Sequence, residues 1–368
     1  MRTIGVAASL AVAAAFWPAR AGHEAPLYPS YYPQEIRIEP VAPAAAARLL
    51  GDARIHAYVG READFGGPTP ESIRSVQSLA SYVVVRIDPD SAAVKHAGGA
   101  CAVAGAVIGG LDAGAPGFVL HPYPVNAYHA DYLHHADLAA AARSRLLGRA
   151  FVTGLKLRTS GTLAPRLAGP GSAGESWDVS VEDVDLPGLL APRAYGINGW
   201  YGPPWLKAGW FHAYLLLGRD LREAASQVAQ LQTGAFAGAA ERIELERALV
   251  RGLLADCRNT VAGYGLRTEH YNGEYSAGIE NVAHDSHAGL DSAIFIRTAK
   301  LKDFPWNGWL ALGVAAPPTA AWNPFGGFGD EAGRLVWLAV GDPGLFPEPY
   351  GAAWTMNRFG DVRSSTGR

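Results

Sequence analysis

The chain has 368 residues, 49% of them hydrophobic and 18% charged, with 31 Lys and Arg against 34 Asp and Glu, for a net charge of −3. That length allows one large domain or two ordinary ones, and half the residues are available for a core. The acidic balance excludes nucleic acid as a partner, because phosphate binding needs a basic face.

The first segment reads as a secretory leader, residues 1–21. Arg2 is a short basic start, Ile4 to Trp17 is an uncharged and mostly apolar run, and Ala19-Arg20-Ala21 is a cleavage box. Removing it takes away Arg2 and Arg20 and no acid, so the mature chain is more acidic still. No later run reaches the roughly 18 uninterrupted apolar residues of a membrane helix. The expected protein has no membrane span and works in the periplasm or is secreted.

Glu35–Pro40 alternates like a strand, Ala42–Leu50 is a strong helix former with Pro43 in its first turn, and Ile55–Val59 reads as a second strand. Thr69, Pro70 and Glu71 then form a capping signal that predicts a helix over 69–80. Ser81 to Asp90, "SYVVVRIDPD", is a buried strand ended by a turn. Ala102 to Pro116 is Gly- and Ala-rich and fits either helix or loop. "GFVLHPYP" gives a short strand, and a helix is expected from about His129 to Leu147, closed by Gly148.

Residues 149–163 and 176–186 read as strands. Residues 199–231 pass from an aromatic loop into helix, and a second helix carries the stripe Ile243, Val250, Leu253, Leu254, Cys257 and Val261. Residues 292–314 and 333–340 read as strands. The expected fold class is α/β or α+β, a mixed sheet with flanking helices, in one body or two lobes: 22–160 as an α/β lobe and 161–368 as a mixed α+β lobe with a strand-rich last third. The cysteines, Cys101 and Cys257, are either a disulfide, as an oxidising compartment allows, or plain core on the helix stripe.

The segment Glu35 to about Ser91 resembles the opening of periplasmic solute-binding proteins. "EIRIEP", "APAAAARLL" and "RIHAYVG" fill the first strand, helix and second strand, and "YVVVRID" a later strand of the same sheet. The resemblance implies reversible capture of a small solute between two lobes. It assigns no individual binding residue.

Two clusters can carry chemistry. The first is His121, His129, Asp131, His134, His135 and Asp137. On a helix Asp131 and His135 share one face and His134 and Asp137 another, while His134 and His135 point about 100° apart. The second is Glu280, His284, Asp285, His287 and Asp291, in which Glu280, His284 and His287 follow a Glu-x₃-His-x₂-His spacing. Imidazole with carboxylate suits copper or zinc, so His129, Asp131, His135, Glu280, His284 and His287 are the candidate metal ligands. The competing reading makes them a wet helix start and a polar turn. A third, smaller candidate is His23, which chelates copper only if it becomes the first residue. Aromatic loops around Trp200, Trp205, Trp210, Trp306, Trp309 and Trp322 can stack on a ligand or pack the core; Trp200, Trp205, Trp306 and Trp309 are the candidate ligand wall.

No nucleophile elbow, phosphate loop or Cys-x-x-Cys occurs. Glu182 and Asp183 sit in an alternating strand and point to opposite faces. The leading expectation is a binding protein that captures a small solute or a metal ion where the two clusters meet. One alternative is a metal-dependent enzyme, hydrolase or oxidoreductase, with an open coordination position and Glu280 as general base. The other is a structural or partner-binding secreted protein.

Overall fold

The computed structural model describes residues 35–129, 131–148, 153–171, 176–185, 210–218, 220–284, 289–303 and 308–315. Their centre is a long antiparallel ladder between β3 (Ile73–Ile87) and β7 (Asn259–Asn272). Around it an eight-stranded mixed sheet runs in the order β1-β10-β2-β7-β3-β6-β5, with β4 (Phe118–Leu120) also paired to β7. The other strands are β1 (Glu35–Pro40), β2 (Ala57–Val59), β5 (Leu157–Ser160), β6 (Val179–Asp185) and β10 (Trp309–Val314). A small second sheet pairs β8 (Ile279–Glu280) with β9 (Lys300–Leu301). Strands from both sides of residue 160 interleave in the large sheet.

Helices cover both faces: α1 (Pro43–Gly51), α2 (Ala92–His96), α3 (Ala100–Gly109), α4 (Ala136–Leu146), α5 (Ala164–Ala168), α6 (Trp210–Leu217), α7 (Ala225–Thr233), α8 (Ala239–Leu253) and α9 (Ala293–Thr298). The alternation of β3 decides which helices go where. Tyr82 and Val84 face a core shared with Phe211 and Leu215 of α6, Val228 and Leu231 of α7, and Leu249 and Val250 of α8. Val83, Val85 and Ile87 face the other way, toward Val103 and Ile108 of α3 and Leu167 of α5. β4 can lie against β7 because Gly263 has no side chain; a Cβ there would stand 2.2 Å from the carbonyl oxygen of Val119.

Several elements differ from the sequence reading, each for an identifiable reason. The capping signal at Thr69 does not start a helix. Pro70 closes a turn by accepting the Ile73 amide, and the chain enters β3, whose backbone is paired to β7 along its length. That ladder outweighs a local helix propensity of about 0.5 kcal/mol per residue. Conversely, the run after Ser292 is helical: the Ser292 hydroxyl accepts the Phe295 amide and starts α9, and Lys300 and Leu301 form the short strand β9 after it. A short apolar run does not distinguish the two outcomes by itself. β1, α1 and β2 form as expected, but β10 lies between β1 and β2, parallel to both. The helix expected from His129 opens with a 3₁₀ turn, Tyr132–His135, before α4. Residues 333–340 lie outside the described residues. Glu182 pairs with Arg86, while Asp183 accepts from Thr162 on the opposite side, as alternation requires.

Cys257 lies beyond the end of α8, in the left-handed region at φ 57°, and is bonded to Cys101 of α3. The bond closes a loop across 156 residues of sequence and ties α3 to the start of β7. Loops of that size lose considerable chain entropy on crosslinking. Replacing both cysteines with alanine should therefore cost about 2–5 kcal/mol in urea unfolding of the otherwise unchanged chain. An unchanged unfolding midpoint would contradict this.

Candidate metal centre

Three segments converge on one carboxylate. α8 presents Arg242 and Glu246 one turn apart. Glu246 belongs to the same stripe as Leu249 and Val250, and so it is carried inward with them; it has no exposed surface. α6 carries His212, also fully buried, in the otherwise apolar run "WFHAYLLL". The loop and 3₁₀ turn between β4 and α4 supply His129, 3% exposed, and His135, 0% exposed. That loop hangs from the sheet: Tyr82 of β3 donates its hydroxyl to the carbonyl of Pro124, and Asn126 donates its amide to the Tyr82 hydroxyl.

His212 Nε2 lies 2.8 Å from Glu246 Oε1, and His129 Nε2 lies 3.3 Å from the same oxygen. His135 Nε2 lies 4.0 Å from Glu246 Oε2. Ligand atoms of His129, His212 and Glu246 all fall within 4.8 Å of one another, the one such buried trio among the described residues. The Nε2 atoms of His129 and His135 and Nδ1 of His212 are buried without a hydrogen-bond partner. Burial drives the rings toward their neutral form, with His129 and His135 pushed down to about 4 and His212 to about 3. Burial also raises the Glu246 carboxyl. Neutral imidazole is the form that binds metal ions.

The surroundings are fastened by arginines. Arg242 makes a two-pronged pair with Asp131, at 2.7 and 2.9 Å, and lies 3.4 Å from Glu246 Oε2. Arg247 grips Asp137 with two bonds and also donates to the carbonyl of His134, fixing the turn that carries His135. Phe211 stacks on His129 with ring centroids 5.9 Å apart.

The sequence-predicted residues divide. His129 and His135 come together at Glu246. Asp131 stands beside them, but both of its oxygens are held by Arg242. His134 is exposed, and His121 donates its Nε2–H to the carbonyl of Val125 rather than meeting Glu246. Glu280, on β8, and His284 are exposed and join no ligand cluster among the described residues. His287 lies outside the described residues, as do Trp200, Trp205 and Trp306. Trp309 lies on β10 with the Arg37 guanidinium 3.4 Å over its ring. Sequence reasoning missed His212 and Glu246. The available signal was a charged residue on the apolar stripe of α8, three residues after Ile243 and four before Val250, and a lone histidine in an apolar helix.

No protein-family model and no curated protein matches the chain. Solved structures do. A periplasmic EDTA-binding protein, EppA, matches at 13% identity and TM-score 0.37, over 69% of this chain and 56% of that one. NikZ from Campylobacter jejuni, in complex with Ni(L-His), matches at 13% identity and TM-score 0.38, over 70% and 60%. A nickel ABC transporter protein from Bacillus halodurans matches at 10% identity and TM-score 0.41, over 67% and 59%. The chain thus spans less than two thirds of the length of these neighbours, and what they bind belongs to them.

The Asp131–Arg242 pair is nearly buried, with side chains 9% and 13% exposed. Removing one partner of such a pair leaves an uncompensated charge. Arg242→Met should destabilise the chain by about 3–5 kcal/mol in urea unfolding, and Arg242→Lys by less, since lysine keeps the charge but not the fork. A loss for Arg242→Met below about 1 kcal/mol, the range of surface pairs, would contradict this account.

Proposed function

We propose that this chain is an exported binding protein that captures one divalent transition-metal ion, of the zinc or copper type, at the His129, His135, His212 and Glu246 centre. The observation that carries the reading is the convergence of neutral imidazoles, with partnerless buried nitrogens, on a buried carboxylate. Orphaned buried polar atoms are rare in folded proteins and ask for a partner. A mixed nitrogen and oxygen set of this kind suits zinc or copper rather than magnesium or calcium. The ion would supply positive charge to Glu246, whose one arginine partner among the described residues, Arg242, is shared with Asp131.

Export is supported by the leader-like first residues and by the disulfide, which belongs to an oxidising compartment. Among the described residues no helix is long and apolar enough to cross a membrane. The reading is capture rather than catalysis, because each candidate ligand is enclosed in the core shared by α6 and α8.

The test is equilibrium dialysis of the full chain, purified without a histidine tag, against Zn²⁺ and Cu²⁺. One ion per chain is expected, with affinity falling roughly 100-fold or more in His212→Ala and in Glu246→Gln, beyond the losses seen for outer-shell changes. Absence of binding in the wild type would overturn the reading. So would binding that survives both substitutions and disappears in His284→Ala.

A further inference from the structure

The three ligand atoms that lie closest together are not, on chemical grounds, the best three. An imidazole that binds an ion through Nε2 keeps its proton on Nδ1, so that nitrogen can no longer accept a hydrogen bond. Nδ1 of His212 faces no donor among the described residues, whereas His129 conflicts with this. Its Nδ1 accepts the backbone amide of Asp131 at 3.0 Å, and an amide N–H can only donate. The neutral ring of His129 therefore carries its proton on Nε2, turned toward Glu246. Ligation by His129 would set two protons against each other at Nδ1.

His135 has the opposite arrangement. Its Nδ1 lies 2.8 Å from the Tyr123 hydroxyl, an atom that can take either role in a hydrogen bond and so can accept the ring proton. With the proton held there, Nε2 presents a bare lone pair. That nitrogen is buried, partnerless and 4.0 Å from Glu246 Oε2. Four donors at bond lengths of about 2.0–2.1 Å stand roughly 3.3–3.4 Å apart in a tetrahedral site, so a side-chain shift of about half an ångström to an ångström brings His135 into range. Asp131 cannot take the place, since Arg242 holds both its oxygens.

Building on the metal reading above, we infer that His135 is a ligand of the centre and a stronger one than His129, with Tyr123 as its positioning residue. His129 then serves by filling the space beside Phe211 and facing Oε1 of Glu246. The ion would join the 3₁₀ turn before α4 to α6 and α8 at one point.

The test titrates the full chain with Co²⁺, whose visible spectrum reports coordination number, followed by displacement with Zn²⁺. Wild type should give the intense absorption of a four-coordinate site, with His135, His212 and Glu246 as protein ligands and one water as the fourth. His135→Gln should weaken Co²⁺ binding roughly 100-fold and replace that spectrum with the faint bands of a more hydrated ion. His129→Gln should cost about 10-fold or less. Tyr123→Phe should keep the four-coordinate spectrum and lose about 10–100-fold in affinity, the range for an outer-shell partner of a ligating histidine. Near-UV circular dichroism checks that each variant is folded.

Unchanged affinity and spectrum in His135→Gln would overturn the inference, as would a larger loss in His129→Gln, and either result leaves a His212- and Glu246-dependent centre standing. If His135→Gln does not fold, unchanged affinity in Tyr123→Phe overturns it. A wild type that takes up neither Co²⁺ nor Zn²⁺ overturns it together with the metal reading.

Discussion

A carboxylate with no exposed surface governs the helical side of this fold. Withdrawing Glu246 from water costs several kcal/mol even after the protein relaxes around it. One arginine a turn away and one imidazole at hydrogen-bond distance offset part of that cost. The arginine is mostly committed to Asp131, with which it makes its two short bonds. The other rings around Glu246 are neutral and face it without hydrogen bonds. This is a polar group placed where an apolar residue would pack at no such cost, and the cation proposed above would account for it.

The rest of the scaffold brings the three segments to that point. The ladder between β3 and β7 sorts its side chains by alternation, so that Tyr82 faces the helices while Val83 faces the opposite layer. Tyr82 in turn holds the loop bearing His129 through Pro124 and Asn126. On the far face the Cys101–Cys257 bond ties α3 to the start of β7. The helices that carry Glu246 and His212 therefore pack on a sheet that is fixed from its other side. The ion-pair fork of Arg247 on Asp137 sets the turn that delivers His135.

Much of this was legible in the sequence, and the limits have physical causes. The mixed sheet with flanking helices followed from period and composition, and β1, α1, β2, β4 and β6 lie where alternation and turn residues put them. The segment 69–80 misled because its capping signal is local, whereas its partner, β7, lies far along the chain; only the ladder shows which prevails. The insertion of β10 between β1 and β2 is a long-range pairing that no window of sequence contains. At the site, the histidine-rich loop stood out by density, and His129 and His135 come from it. His212 and Glu246 arrive from other elements, each a single polar residue in an apolar setting. Glu246 was readable by asking which charged residue falls on the stripe of Ile243 and Val250. What spacing could not tell was that Asp131 turns away to Arg242, because that depends on a partner 111 residues distant.

The most direct test of the account is a crystal structure of the full chain equilibrated with Zn²⁺, with anomalous differences recorded on both sides of the zinc edge. The account predicts one strong peak within about 2.0–2.2 Å of an imidazole nitrogen of His212 and a carboxylate oxygen of Glu246, the bond lengths of a nitrogen and oxygen zinc site. A map with no peak there, or with its peak at the exposed side chain of His284 instead, would contradict it.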